Sequence, residues 1–198
     1  MIPSSKQISN NMLEQWILPV FDTNTGCVSG QCFIIDSYLI TAAHIVIDLS
    51  QPYVCIGENK YELNSKNASY VKYLKKEDED CAIFRLPYTY QSPLQLADKI
   101  DISQEMNCYY VRERSEDSIM RQLKVSNVQQ ISVLSDKAIL CHINPMLYEG
   151  DSGCPIITAN NEVVGMLAGS TEDSSCSHIC AFQSAVYVKK IIEQCLEN

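Results

Sequence analysis

Short apolar runs broken by turn residues set the pattern of this chain, and such runs predict strands. Trp16 to Phe21 forms one run and ends at Asp22-Thr23-Asn24-Thr25-Gly26. Cys27 to Ile35 follows, then the pair Asp36-Ser37, then Tyr38 to Ala43. Further on, Cys154 to Thr158 and Glu162 to Ala168 flank Asn160-Asn161, a pair that tolerates the positive φ of a tight hairpin. No long helical pattern separates these runs, so they predict an antiparallel sandwich or a pair of barrels. The tail differs. From Ala185 to Leu196, Val188, Ile191, Ile192 and Cys195 recur at helical spacing, with Lys189, Lys190, Glu193 and Gln194 on the other face. Residues 4–15 are polar and form either a short N-terminal helix or a loose segment. The pattern predicts an all-β chain with a C-terminal helix.

Composition narrows the function classes. A chain of 198 residues fits one large domain or two small ones and is long enough to bury a core. With 46% apolar and 20% charged residues it has a globular rather than a disordered composition. No apolar run approaches the roughly 18 residues of a membrane-spanning helix, so no membrane partner is expected. The net charge of -9 and the lack of basic clusters argue against a nucleic-acid partner. Only Lys75-Lys76 and Lys189-Lys190 stand as basic doublets, and the first runs straight into Glu77-Asp78-Glu79-Asp80.

The start, Met1 to Gln7, has neither a basic n-region nor an apolar h-region, so it predicts no signal peptide. The expected location is cytoplasmic, or outside the cell by a leaderless specialised route. In a reducing compartment the 10 cysteines would be mostly free thiols packed as small hydrophobes. Asn67-Ala68-Ser69 is then an ordinary surface loop rather than a glycosylation site.

Candidate chemistry begins at Glu149-Gly150-Asp151-Ser152-Gly153-Cys154-Pro155. A serine between glycines, just ahead of a strand, is held exposed on a tight turn. The glycines let the N–H groups of Gly150 and Ser152 converge on one point, as oxyanion binding demands. A serine hydroxyl needs a base. Of three histidines, His44 ends the run Tyr38-Leu39-Ile40-Thr41-Ala42-Ala43, where two alanines leave room for a turn into a cleft. His142 lies inside the apolar run Ala138 to Ile143 and reads as a strand histidine. A carboxylate must fix the imidazole, and Asp80 opens the apolar strand Cys81 to Leu86, an odd place for an unpaired charge. Glu77, Asp78 and Glu79 read as a solvated face.

With these three motifs in the order His44, Asp80, Ser152, the chain resembles the trypsin/chymotrypsin-like serine proteases, bacterial-type trypsin-like peptidases in particular. Ser29-Gly30-Gln31-Cys32-Phe33-Ile34-Ile35, Pro155-Ile156-Ile157, Val163-Val164-Gly165 and the tail from Phe182 to Ile192 extend the likeness over roughly residues 16–197. The resemblance implies two antiparallel six-stranded β-barrels with the site in the cleft between them. An N-terminal extension would span 1–15, a first barrel with His44 and Asp80 16–95, a second with Ser152 96–184, and the helix 185–198, all in one peptidase domain. It further implies Ser152 as nucleophile, His44 as general base and acid, Asp80 as orienting carboxylate, and Gly150 and Ser152 as oxyanion-hole donors. No metal or organic cofactor is implied.

The chain also departs from that family. Secreted digestive members insert a cleaved N-terminus beside the aspartate that precedes the serine, and no matching start occurs before Trp16. Asp151 therefore either finds another donor or leaves its loop unformed until a partner activates it. Cys32 and Cys154 stand where the family usually has glycine, at positions close together in the fold, which implies a packed thiol pair or a bridge. Cys176-Ser177-His178-Ile179-Cys180 offers three metal-ligating side chains, yet spacing this tight is poor for a tetrahedral site and no metal is expected.

By position in the family, Met146 would floor the specificity pocket, with Ala168, Gly169 and Ser170 as walls and Cys180 or Ala181 opposite. Such a pocket suits apolar side chains, while Glu172 and Asp173 in the following loop would attract a basic one. The leading expectation is a serine endopeptidase acting on protein or peptide substrates. The alternative is a silent or latent protease-fold protein that holds a peptide or partner without cutting it. An esterase would share every residue of the triad.

Overall fold

A computed structural model describes residues 10–74, 77–113, 121–172 and 178–196. The chain folds into two antiparallel sheets in sequence order, the chymotrypsin-like arrangement. One helical turn, α1 (Asn10–Leu13), precedes the first sheet and tucks Leu13 into its core.

The first sheet runs β5-β4-β1-β2-β3-β7-β6. Its strands are β1 (Ile17–Asp22), β2 (Val28–Ile35), β3 (Tyr38–Thr41), β4 (Pro52–Ile56), β5 (Asn59–Glu62), β6 (Tyr70–Leu74) and β7 (Glu79–Arg85). β2 and β3 join through Asp36-Ser37, with Asp36 at φ 50. This sheet curls into a half-barrel with β5 and β6 as its edges. The segment between those edges is satisfied locally: the Asn64 side chain accepts the N–H groups of Lys66 and Asn67, so it forms no ladder that would close the barrel.

The second sheet contains β8 (Gln95–Leu96), β9 (Met106–Glu113), β10 (Arg121–Val133), β11 (Ala138–Asn144), β12 (Pro155–Thr158), β13 (Glu162–Glu172) and β14 (His178–Ser184). Here β12 pairs with both β9 and β13, which closes six strands into a barrel, and β8 adds in parallel to β13. Asn161 takes φ 65 in the β12–β13 turn, as the Asn-Asn pair predicts.

The tail is helical as its periodicity predicts: α3 (Ala185–Ile191) continues into a π-helical turn, Ile192–Leu196. Val188, Ile191 and Ile192 are buried against the first core, and Lys190 faces solvent. That core also takes Ile157, Val163 and Met166 from the second sheet, so apolar burial at about 25 cal/mol per Å² ties the two halves together. A second core inside the closed barrel is built on Cys108, Ile139, Cys141, Cys154, Ile156 and Phe182. Among the described residues no helix is long and apolar enough to cross a membrane.

Candidate active site

One short helix was not expected. Ala43 to Asp48 form α2, directly after β3, rather than a tight turn. Its cap residue Ala42 has no side chain to bind the first N–H groups. Asp80 supplies that bond from β7: its Oδ1 accepts the His44 N–H at 2.9 Å. Its Oδ2 lies 2.6 Å from His44 Nδ1. One carboxylate therefore fixes both the helix start and the imidazole ring. Ala42 and Ala43 are fully buried, and larger side chains there would push His44 away from β7.

Asp80 is itself held. Its N–H donates to Gln183 Oε1 at 2.8 Å, across from the second barrel, and Gln183 Nε2 donates to Lys137 O at 2.6 Å. Next to it, Glu79 does not face solvent. β7 starts at Glu79, whose side chain is only 2% exposed and receives Lys137 Nζ and Lys72 Nζ at 2.5 Å each and the Tyr187 hydroxyl. Burial alone would raise its pKa; the hydrogen bonds from Lys137, Lys72 and Tyr187 outweigh it and hold the carboxyl at about 2. Glu77 and Asp78 are exposed, as expected.

Ser152 lies in the loop between β11 and β12. Gly150 at φ 90 and Gly153 at φ 87 occupy conformations that L side chains rarely adopt, which allows the sharp turn on either side of it. Gly153 N–H donates to Leu167 O at 2.8 Å, and Ser152 O accepts the Gln31 N–H at 2.7 Å. Among the described residues the N–H groups of Gly150 and Ser152 have no acceptor. The loop thus carries two unsatisfied backbone donors among the described residues.

Ser152, Gly150 and Glu149 line an open cleft of about 480 Å³ together with His44 and Ile45 of α2 and Val28 and Ser29 of β2. The structure thus brings His44, Asp80 and Ser152 to one place, with His44 half-buried between the carboxylate and the cleft. His44 Nδ1 contacts the buried Asp80 carboxylate, and the same ring borders the cleft that Ser152 lines. His142 is half-buried on β11 and does not line this cleft.

The expected specificity residues separate. Ala168, Gly169 and Ser170 line a second cavity of about 400 Å³ beside Asp80, with Tyr73, Ala181 and Phe182. Met146 and Cys180 do not. Ala181 lines this cavity, while Cys180 is packed in the second core at 1% exposure. Asp173 and the pair Cys176-Ser177 lie outside the described residues, as do Lys75-Lys76 and the side chains of Glu172 and His178. Among the described residues no group of three His, Cys, Asp or Glu is placed to hold a metal ion.

Cys154 does not pair with Cys32. Its Sγ lies 3.2 Å from Cys108 Sγ on β9, whereas the Cys32 thiol donates to Leu18 O at 3.5 Å inside the first core. The two side chains belong to different cores, Cys32 to the first and Cys154 to the second. Burial pushes the Cys154 thiol well up, and its contact with Cys108 pushes it further; burial likewise raises Cys32. The eight described cysteines are free.

Four contributors escaped the sequence reading: Gln31, Arg112, Gln183 and Glu79. Arg112 on β9 donates Nη2 to Asp151 Oδ2 at 2.7 Å, and the Tyr148 N–H binds the same oxygen at 2.8 Å. Asp151 therefore has another donor than an inserted N-terminus. A polar residue breaking an apolar run marks Gln31 and Gln183; nothing local marks Arg112.

Residues 25–166 match the trypsin-like peptidase domain. No curated protein matches the sequence. Among solved structures, the active form of the Rv3671c protease of M. tuberculosis is similar at TM-score 0.64 and 18% identity, over 95% of this chain and 84% of that one. A serine protease of a human pathogenic astrovirus gives 0.57 and 20%, over 86% and 89%. The serine endoprotease of Yersinia pestis gives 0.66 and 13%, over 96% and 66%. These three likenesses are of fold, and with the domain match covering well over half of its length the chain belongs to the trypsin-like peptidase family.

Proposed function

We propose that this protein is a serine endopeptidase that cuts protein or peptide substrates through Ser152, His44 and Asp80. The observation that carries this is the 2.6 Å contact of His44 Nδ1 with Asp80 Oδ2, with Ser152 sharing the cleft that the ring borders. Asp80 accepts a hydrogen bond from Nδ1–H, which leaves Nε2 as the basic nitrogen on the cleft side. Ser152 Oγ gives its proton to Nε2 as it bonds to the scissile carbonyl carbon. The carbonyl oxygen takes up the electron pair and is met by the N–H groups of Gly150 and Ser152. Collapse expels the amine, which leaves with the proton from His44. Water then hydrolyses the acyl-enzyme by the same route. The cavity beside Asp80, with Tyr73, Ala168, Ala181 and Phe182, supports an apolar substrate side chain in that position.

The test is a fluorophosphonate probe on the whole protein, with the labelled residue found by mass spectrometry. Labelling at Ser152 that Ser152→Ala and His44→Ala abolish is the expected result. Absence of labelling would favour a silent or latent protein that only binds peptides or a partner, and a label on another serine would overturn the triad.

A further inference from the structure

We propose that Gln31 is a positioning residue that sets the Gly150–Ser152 backbone for oxyanion binding, a role that rests on the serine endopeptidase reading. Gln31 stands on β2 of the first sheet and is fully buried. Its backbone N–H donates to Ser152 O at 2.7 Å, and its carbonyl accepts the Thr41 hydroxyl at 2.7 Å. The side chain crosses to the second barrel. Nε2 donates to Gly150 O at 3.0 Å and to Val111 O at 3.1 Å, while Oε1 accepts the Val111 N–H at 3.0 Å. The Val111 N–H dictates which end of the amide is oxygen, so both Nε2 hydrogens are committed to carbonyls.

The consequence lies one bond away. Gly150 at φ 90 has no side chain to restrict it, so its peptide planes need external bonds to stay in place. Gln31 holds the Gly150 carbonyl, and Tyr148 O takes the Asp151 N–H on the opposite edge of the same peptide at 3.0 Å. Gln31 N–H fixes the carbonyl two residues on, that of Ser152, and the Asp151 carbonyl between them accepts the Cys154 N–H at 3.1 Å. The carbonyls that Gln31 holds belong to the Gly150–Asp151 and Ser152–Gly153 peptides, so Gln31 fixes the planes that adjoin the Glu149–Gly150 and Asp151–Ser152 peptides, whose N–H groups are left unsatisfied among the described residues. A primary amide supplies all three contacts at once: two donors for the carbonyls and an oxygen for the N–H. A carboxylate at this position would lose both donors and set a negative charge near the developing oxyanion.

The experiment compares wild type, Gln31→Met and Gln31→Glu, with Ser152→Ala as the blank. Each protein is titrated with the fluorophosphonate probe, and peptide hydrolysis is expressed per titrated site. Gln31→Met is expected to lower kcat per site by roughly 10- to 100-fold with KM within about twofold, less than the loss of a whole oxyanion donor. Gln31→Glu keeps one donor only as the protonated acid, so its activity relative to wild type should fall as pH rises from mildly acidic to mildly alkaline. A role confined to stability would change the number of titrated sites but neither the rate per site nor this pH ratio. A Gln31→Met rate per site close to that of wild type, or a flat Gln31→Glu ratio, overturns the proposal; should Gln31→Met fail to fold, the Gln31→Glu ratio decides. A wild type that does not label at Ser152 overturns the endopeptidase reading, and the role of Gln31 with it.

Discussion

Arg112 and Asp151 form an ion pair of 2.7 Å that holds the residue before Ser152 from β9 of the second barrel. Asp151 is 2% exposed, and its partner is clasped between the rings of Tyr110 and Tyr148, at 4.8 and 5.1 Å from their centres. The stacking fixes a planar guanidinium in a way an ammonium cannot reproduce. The pair, with the Tyr148 N–H, gives Asp151 two donors within the described residues.

Arg112→Met is therefore expected to cost about 2–3 kcal/mol of stability, the low end for stranding a buried charge, because the guanidinium is itself partly exposed and Tyr148 still serves Asp151. Arg112→Lys should recover only part of this. Urea unfolding read by Trp16 fluorescence checks the magnitude, and probe labelling at Ser152 checks that the loop loosens with it. Wild-type stability in Arg112→Met would show that the pair is idle.

Gly153 is the least replaceable residue beside the serine. A Cβ there would lie 2.0 Å from Gln31 O and 2.9 Å from Thr41 Oγ1, in a backbone conformation at φ 87 that side chains rarely adopt. The obstacle is backbone that cannot move without opening β2. Gly153→Ala is expected to cost more than about 4 kcal/mol or to leave no folded protein. Gly169→Ala is the control: a Cβ there meets nothing within 4 Å, so the fold should stay intact by circular dichroism while the cavity beside Asp80 shrinks.

What could be read from the sequence divides along a physical line. Strands β1, β2, β3, β7, β11, β12 and β13 were legible because a face turned to the core leaves a local apolar run, and His44, Asp80 and Ser152 stood out because each sits in a short motif. α2 was not: Ala43-His44-Ile45-Val46-Ile47-Asp48 carries three β-branched residues and no capping side chain, and its cap is Asp80, supplied from β7. Gln31, Arg112 and Gln183 act between barrels or across strands, and Glu79 is buried by lysines and a tyrosine from three different elements. Such contacts follow from how the sheets pack, which no local pattern records. The same applies to Cys154, whose neighbour is set by the β12–β9 register rather than by sequence distance.

Thiol chemistry gives a direct check on that packing. Of the described cysteines only Cys27 is exposed and Cys55 partly so; Cys32, Cys81, Cys108, Cys141, Cys154 and Cys180 are buried. Burial pushes the Cys180 thiol up to about 12 and raises Cys81 and Cys141 as well, so these groups carry almost no thiolate at neutral pH. Brief treatment of the native protein with iodoacetamide should modify Cys27 first and Cys55 more slowly, leaving the six buried thiols intact until the protein is unfolded. Peptide mapping reads this directly, and rapid native labelling of Cys108 or Cys154 would contradict the closed barrel.

Glu79 makes the acid limb of stability a test of the inter-barrel network. Its carboxyl is held at about 2, below the 4.5 of an ordinary glutamate, so as pH falls the unfolded chain takes up the proton before the folded one does. The contribution of Glu79 is then complete above about pH 4.5, declines as pH falls toward 2, and is gone below that. In Glu79→Gln this dependence vanishes, while the other carboxylates titrate in both proteins and cancel in the difference. Urea unfolding at a series of pH values should show wild-type stability falling more steeply than that of the variant across this window, by at most about 1.4 kcal/mol per pH unit, the slope for one proton. Above the window Glu79→Gln should be the less stable protein, because Lys72 and Lys137 lose their shared acceptor charge beside Asp80. Parallel curves would mean that the carboxylate does not bind the two lysines in solution, and that the barrels are joined at this point by packing alone.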